Sequence, residues 1–334
     1  MKEYSSPARK AFVVFNFIFL TLASLTCILP FIHLLALSFS SSSAVAAGRV
    51  GCWPIEPTLS AYEFALRGGK FVTALWVSVK RVLLGVSVNL VLMVLTAYPL
   101  SKPREKLAFR NIYMGFFVVT MILNGGLIPT YVLVVRLGLL NSLWALILPG
   151  ALPVYNMVIL MNFIRGLPEE IEEAALIDGA NPIVCLVKVL LPLLAPSLAT
   201  VGLFSIVGHW NDWFSGLIYM QDSARYPLQT YLQTLLRDFE EILRMAQGDY
   251  SQILSMMNAR TGRAAQLFLG ALPILAIYPL LQKHFTTGLV LGSVKVNRVR
   301  AASIYVRDRA GCVWRRISRI MPVCRRLVGS GCHC

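Results

Sequence analysis

The chain has 334 residues, of which 57% are hydrophobic and only 14% are charged. Soluble domains contain about 45–50% apolar and about 25% charged residues, so this composition excludes a soluble protein and indicates an integral membrane protein. The formal net charge is +15, but more than half of the excess lies from Val296 onward, where nine arginines face only Asp308. That distribution argues against nucleic-acid binding. The remaining basic residues are typical of a protein that borders anionic lipid.

Six apolar runs approach the roughly 20 residues that a helix needs to cross a bilayer. They predict an all-α, polytopic membrane protein with six transmembrane helices. The approximate spans are Ala11–Leu37, Val82–Leu100, Ile112–Val135, Leu143–Ile164, Val189–Val207 and Ala264–Leu281. The first run has a rival interpretation as a secretory signal, but signal h-regions have only about 7–15 residues and this run is far longer.

Orientation follows from the basic residues near the span ends. An even number of spans places both termini on one side of the membrane. Arg9 and Lys10 abut the first span, which usually dominates, and charges in long loops count little. We therefore expect a multi-pass plasma-membrane protein with both termini in the cytoplasm.

Two kinds of residue interrupt the apolar runs. Lys80 and Arg81 fall inside the stretch Phe71–Leu100, and charges at mid-bilayer cost several kcal/mol. We place both at the membrane surface, with Phe71–Val79 as an interfacial helix that leads into the second span. Prolines, which remove backbone hydrogen bonds and predict kinks in packed helices, occur in two spans: Pro149 and Pro153 in the fourth, Pro192 and Pro196 in the fifth.

The stretch EEIEEAALIDGANPIVCLVKVLLP, Glu169–Pro192, lies between spans four and five. It carries too many carboxylates for a span and too many spaced apolar residues for a disordered loop. Pro168 suits a first helical position, after which the acidic residues meet the positive end of the helix dipole. Gly179 suits the left-handed residue that closes a helix. Asn181-Pro182 reads as the cap and first residue of a second helix that Leu191-Pro192 ends.

This helix–turn–helix resembles the coupling loop of ABC importer permeases. That motif is Glu-Ala-Ala, three residues, Gly, nine residues, Ile, one residue and Leu-Pro. Here it reads Glu173-Ala174-Ala175, Gly179, Val189 in place of Ile, and Leu191-Pro192. We call Glu169–Pro192 the coupling loop and expect it in the cytoplasm, with the small Ala174 and Ala175 open to a partner backbone.

The wider chain is similar to sugar-importer permeases of the maltose-transporter type, above all those of Gram-positive oligosaccharide importers. The similarity is carried by Gly125–Leu152, Gly208–Gln229 and Pro273–Lys295 and covers about Ala11 to Lys295. It departs at Lys80-Arg81, where such permeases usually carry uncharged residues.

The resemblance implies a subunit that pairs with a second permease, docks on two cytoplasmic ATPases and receives sugar from an extracellular binding protein. The coupling loop would enter a cleft of the ATPase, where Glu173 and Asp178 offer carboxylates. Gly179 would set the turn, and Pro192 would mark the junction with the span. The chain has no GxxxxGK[ST] motif and no clustered catalytic or metal ligands, so we expect no enzyme activity, no cofactor and no metal.

The sugar pathway is less clearly marked. In His209–Phe214, the side chains of Trp210, Asn211 and Trp213 suit stacking against a sugar and hydrogen bonding to it, although an interfacial aromatic belt explains the tryptophans equally well. Asn156 in the fourth span is a poorer candidate, because polar residues between helices often serve packing. The alternative function, a channel or an ion-coupled secondary transporter, usually needs ionisable residues in mid-span, and the predicted spans hold essentially none.

The sequence divides into a permease domain, residues 1–295, and a basic, cysteine-rich tail, residues 296–334. The four cysteines of the tail fit no standard zinc spacing. Clustered arginines would attract anionic lipid, but a shifted reading frame or read-through explains the composition better. We expect the tail to be disordered and dispensable, so that a chain truncated after Lys295 still transports sugar.

Overall fold

The structure, a computed structural model, describes residues 7–67, 69–123, 125–245 and 261–276, and all regular elements in these ranges are helical. The predicted all-α class is therefore confirmed for this part of the chain. The helices are α1 (Pro7–Phe39), α2 (Ser42–Ala46), α3 (Ser60–Arg67), α4 (Lys70–Ser101), α5 (Arg110–Ile122), α6 (Leu127–Arg136), α7 (Leu143–Ile147), α8 (Val154–Arg165), α9 (Glu169–Ile177), α10 (Pro182–Val184), α11 (Leu191–Leu193), α12 (Ala195–Asn211), α13 (Phe214–Tyr219), α14 (Leu228–Met245) and α15 (261–276). A π-helix occupies Cys185–Leu190, and 3-10 turns occupy Leu148–Gly150 and Ser223–Arg225.

In the part of the chain that the structure describes, two helices are long and apolar enough to cross a membrane by themselves, Arg9–Phe39 and Lys70–Ser101. Three further pairs of helices pass the same test only when each pair counts as one broken span, which gives up to five spans in the part of the chain described. Helix α15 covers the start of the sixth predicted span. The end of that span and the tail 296–334 lie outside the described residues.

The predicted kink in the fourth span is present. Helix α7 passes into the 3-10 turn Leu148–Gly150, and α8 begins only at Val154. Pro149 and Pro153 flank this interruption, where a missing N–H breaks the hydrogen-bond ladder of a helix. The prolines thus divide one apolar run into two shorter helices.

The predicted interfacial helix Phe71–Val79 is not a separate element. Helix α4 runs from Lys70 to Ser101 without a break at Lys80-Arg81. No glycine or proline interrupts the helix there, and the charge of Arg81 is met by a partner distant in sequence, described below. The expectation of a separate helix was wrong. It rested on the charge of Arg81, and the sequence did not reveal the distant residue that compensates this charge inside a continuous helix.

The second helix of the coupling loop also differs from its prediction. Helical structure passes through Pro192 to Leu193, and the break comes at Leu194, before α12. Pro192 lies in the first turn of α11, where a missing N–H is tolerated. The preceding π-helix supplies the wider turn, in which the Leu191 N–H donates to the carbonyl of Leu186.

The chain divides into two compact units, each with its own core. Of the described residues, the first holds 7–67, 69–83, 127–149, 208–245 and 261–276, and the second holds 84–123, 125–126 and 150–207. One apolar cluster of the first unit contains Phe71, Ala74, Trp210, Leu228 and Leu232. The core of the second unit joins the end of α4 to α8, α9, the π-helix and α12; its buried members include Met93, Ala97, Met157, Leu160, Ala175, Cys185, Leu190 and Val201. This second core holds the coupling loop in place.

Candidate functional site

The first helix of the coupling loop begins as the acidic residues predict. Helix α9 runs over Glu169–Ile177, and its first turn contains Glu169, Glu170 and Glu172. Negative side chains at this end interact favourably with the unpaired N–H groups of the first turn. Pro168 precedes the helix as its N-cap, with φ −60° and ψ 133°. The prediction that it is the first helical residue was thus wrong by one position.

Gly179 ends α9 in a Schellman turn. Its φ is +82°, its N–H donates to the Leu176 carbonyl, and the Ala180 N–H donates to the Ala175 carbonyl, both at 3.0 Å. These two bonds define the motif. A Cβ built on Gly179 would meet no atom within 4 Å, so the constraint on this position is its backbone conformation rather than space.

The turn leads directly into a second capped helix. The Asn181 side-chain Oδ1 accepts from the Val184 N–H at 2.8 Å, and Pro182 is the first helical residue. Both features agree with the prediction. Two short helices are therefore joined by a single fixed turn, which is the geometry of a rigid connector.

Exposure separates the coupling loop into an inner and an outer face. Ala175 is only 2% exposed and belongs to the core of its own unit, so the expectation that it lies open to a partner was wrong. Glu173 and Ala174 are exposed and Asp178 is half-buried. Ile177 is 84% and Ile183 is 72% exposed. Large apolar side chains beside carboxylates on one outer face are typical of an interaction surface.

Glu172 attaches the coupling loop to the end of α4. Its Oε1 accepts from the Tyr98 hydroxyl at 3.0 Å, and its Oε2 accepts from the ammonium group of Lys102. That ammonium group also lies 4.2 Å from the centre of the Tyr98 ring, a cation–π distance. We call Tyr98, Lys102 and Glu172 the Glu172 cluster.

The electrostatics of the Glu172 cluster favour the charged carboxylate. Burial raises the pKa of Glu172. Hydrogen bonds from Lys102 and Tyr98 and the nearby charges of Lys102 and Lys106 lower the pKa by a larger amount, so it lies below its ordinary value. Sequence reasoning did not find this cluster. Its one local signal is the i,i+4 spacing of Tyr98 and Lys102, which places them on one face of a helix.

Of the four predicted pathway residues, two are largely buried. Trp210 is 4% exposed and lies in the core of the first unit, and its indole N–H has no hydrogen-bond partner among the described residues. Asn156, in the second unit, is 8% exposed. Asn211 and Trp213 are exposed, and Trp213 packs edge-on against Phe214. A direct role in sugar contact remains a prediction for all four.

An ion pair with a buried arginine lies next to Asn211 and Trp213 in the first unit. Arg81 is 1% exposed; its Nη2 lies 2.5 Å from Asp212 Oδ2, and its Nη1 donates to the Asp212 carbonyl at 2.9 Å. Asp212 also accepts from the Ser215 N–H at 3.1 Å. The guanidinium thus ties α4 to the turn between α12 and α13. The sequence did not indicate that Arg81 is buried within the protein, because its partner lies 131 positions away. Its position at the membrane surface stays a prediction.

The chain matches one protein family over most of its length. Residues 3–291 match the model of the family described as "Binding-protein-dependent transport system inner membrane component". Protein LplC of Bacillus subtilis is 39% identical over 295 residues, which cover 87% of this chain and 97% of that protein. The polygalacturonan/rhamnogalacturonan transport system permease protein YtcP of the same organism is 39% identical over 279 residues, covering 83% and 96%. These matches bear out the expectation of a transport protein rather than an enzyme.

A solved structure agrees with these relatives. A chain from the crystal structure of a bacterial ABC transporter involved in the import of the acidic polysaccharide alginate superimposes with a TM-score of 0.75 at 30% identity, covering 85% of this chain and all of that one. The resemblance stated from the coupling-loop motif is confirmed by both comparisons. The chain belongs to the family of inner-membrane components of binding-protein-dependent transport systems, the permease subunits of ABC importers.

Proposed function

We propose that this chain forms half of the translocation pathway of an ABC importer for sugars or oligosaccharides. It works with a second permease subunit, two cytoplasmic ATPase subunits and an extracellular sugar-binding protein. Support for a carbohydrate substrate comes from relatives named for the transport of polygalacturonan, maltodextrin and arabinooligosaccharides. The chain has six spans with both termini in the cytoplasm.

The coupling loop carries this proposal. The outer face of the loop presents Glu173, Ala174, Ile177 and Ile183 to solvent, and no described part of the chain covers it. In the proposed complex this face lies in a cleft of the ATPase. The apolar side chains are buried on docking, while Glu173 and Asp178 meet basic side chains or backbone N–H groups of the ATPase.

Movement of the ATPase passes to the spans because the loop is stiff and firmly attached. The Schellman turn at Gly179 fixes the angle between α9 and the following helix, and Ala175 anchors α9 in the core. The Glu172 cluster joins α9 to α4, which is one of the two long apolar helices. A nucleotide-dependent movement of the ATPase therefore shifts the coupling loop and, with it, the balance between two arrangements of the spans. A flexible linker would not transmit this movement.

The segment Ser215–Arg263 is the outward-facing loop that meets the sugar-binding protein. In its described part, Asp222 and Arg225 are exposed and lie 3.9 Å apart as an i,i+3 ion pair. The Arg225 Nη1 also donates to the Asn141 carbonyl at 2.7 Å. Such polar, solvent-facing groups favour a reversible contact with a soluble partner.

The decisive experiment compares ATP-driven sugar uptake in proteoliposomes that contain the complete transporter. We expect Glu173→Lys to abolish uptake and to reduce co-purification of the ATPase while the permease stays inserted. Arg136→Gln, an exposed change at the end of α6, serves as the control. Uptake that continues without the ATPase subunits, or a Glu173→Lys variant that transports at the normal rate, would contradict the proposal.

A further inference from the structure

A basic groove lies beside the coupling loop, within the second unit. It has a volume of about 370 Å³ and is formed by the end of α4, the start of α5, the end of α8 and the start of α9. Its lining includes four basic residues: Lys102, Lys106, Arg110 and Arg165. We call this the basic groove.

Carboxylates balance only part of this charge. The lining also contains Glu169 and Glu172, and Lys102 is already paired with Glu172. Among the described residues, no carboxylate lies within ion-pair distance of Lys106, Arg110 or Arg165. The groove therefore keeps a net positive charge.

The two guanidinium groups are held together by a shared acceptor. Arg110 Nε and Arg165 Nη2 each donate to the Leu100 carbonyl at 3.0 Å. One neutral oxygen thus brings two like charges close to each other, although like charges repel. Guanidinium groups in such an arrangement bind the several oxygens of a phosphate well, because they present fixed, forked donors.

The size and walls of the groove indicate more than a small ion. A volume of 370 Å³ far exceeds the roughly 10–15 Å³ that a single water needs. Ile164, Leu167 and Leu190 add apolar surface to the lining. This combination matches a phosphate group that carries an organic portion.

We propose that the basic groove binds a phosphate group, with Lys106, Arg110 and Arg165 as its ligands. The phosphate belongs to an anionic phospholipid headgroup or to a free phosphate ester, and the two sources share the same recognition chemistry. An occupied groove joins four helix ends at the base of the coupling loop. Its consequence for coupling, unlike the binding itself, rests on the proposed function.

The first test measures lipid retention by the complete transporter. The complex is extracted from membranes that contain phosphatidylglycerol and phosphatidylcholine, and the lipids that remain bound are counted by native mass spectrometry. We expect phosphatidylglycerol to be retained in preference. Lys106→Gln removes a charge but no hydrogen bond to a described residue, and it should weaken retention about fivefold, as expected for one basic group near an anionic surface.

Further variants separate charge from fold. Arg110→Gln with Arg165→Gln should weaken retention by roughly thirtyfold. Lys106→Arg keeps the charge and should retain lipid normally, and Arg136→Gln, outside the groove, should change nothing. If wild type retained the two lipids equally and Lys106→Gln retained lipid normally, the phosphate would not come from a phospholipid headgroup.

The second test addresses free phosphate esters. Glycerol 3-phosphate and inorganic phosphate are titrated against the complex in phosphatidylcholine nanodiscs, and thermal stability is recorded. Stabilisation by glycerol 3-phosphate that weakens in Lys106→Gln identifies a soluble ligand, whereas retention of phosphatidylglycerol without such stabilisation identifies the lipid. If neither probe discriminates wild type from Lys106→Gln, the proposal is wrong, whatever the transport activity.

Discussion

Removing the carboxylate of Glu172 should loosen the coupling loop without unfolding the protein. Glu172 accepts one hydrogen bond from Tyr98 and one from Lys102. Hydrogen bonds to charged groups contribute about 1.5–3 kcal/mol, whereas exposed ion pairs contribute about 0.2–1 kcal/mol. The side chains of Lys102 and Glu172 are 15% and 18% exposed, so the interaction lies between these limits.

We therefore expect Glu172→Ala to lower the free energy of local unfolding of α9 by about 2 kcal/mol. Hydrogen exchange of the α9 amides should become roughly thirtyfold faster, because local opening controls their exchange. Glu172→Gln keeps an oxygen for the Tyr98 hydroxyl but loses the charge and the oxygen that accepts from Lys102, so it should cost about 1 kcal/mol. ATP-driven uptake should fall in the same order.

A double-mutant cycle isolates the contact itself. Lys102→Met and Glu172→Gln should show a coupling energy of about 1 kcal/mol, well above the roughly 0.3–0.5 kcal/mol scatter of independent sites. Additive effects on α9 exchange would refute the argument that this contact attaches the loop to α4. Arg136→Gln is again the control.

The pH dependence follows from the lowered pKa of Glu172. The pKa of glutamate in the unfolded state is about 4.3. A carboxyl with a lower pKa in the folded state contributes its full stabilisation at pH values above this unfolded pKa. The contribution is lost as the pH falls through the folded pKa. The stability of α9 in wild type should therefore decline in this acidic range, whereas Glu172→Gln should show a flatter profile.

Three further predictions concern other parts of the chain. Gly179→Val should abolish uptake and Gly179→Ala should reduce it, because both side chains strain a backbone at φ +82° and the β-branched valine strains it more than alanine. Gly179→Asn should retain the most uptake of the three, because asparagine tolerates this conformation better. Arg81→Met should lower the free energy of unfolding by about 2 kcal/mol, which is less than the loss of a fully buried pair would cost, because Asp212 is 31% exposed. Adding Asp212→Leu should restore part of the lost stability. Calorimetry of the detergent-purified chain measures both effects. A cysteine replacing Ser223, in a cysteine-free background, should react with an impermeant thiol reagent in intact cells, and reaction only after permeabilisation would reverse the proposed orientation.

The sequence by itself determined those features that depend on neighbouring residues. A run of apolar side chains decides that a segment is helical and membrane-seeking, and α1 and α4 are unbroken helices that contain the first and second predicted runs. The turn at Gly179 and the cap at Asn181 were predictable because both motifs are closed by hydrogen bonds over three to five residues. The family motif rests on the same local spacing.

Only the tertiary structure decided which distant residues meet. Glu172 meets Tyr98 across 74 positions, and Arg81 meets Asp212 across 131. In both cases the sequence showed a charged residue but not its distant partner, so the burial of Arg81 was not predicted and Glu172 was assigned only to the dipole of its own helix. The inward face of Ala175 is a further case, because helical periodicity places a residue on a face and packing alone decides what that face touches.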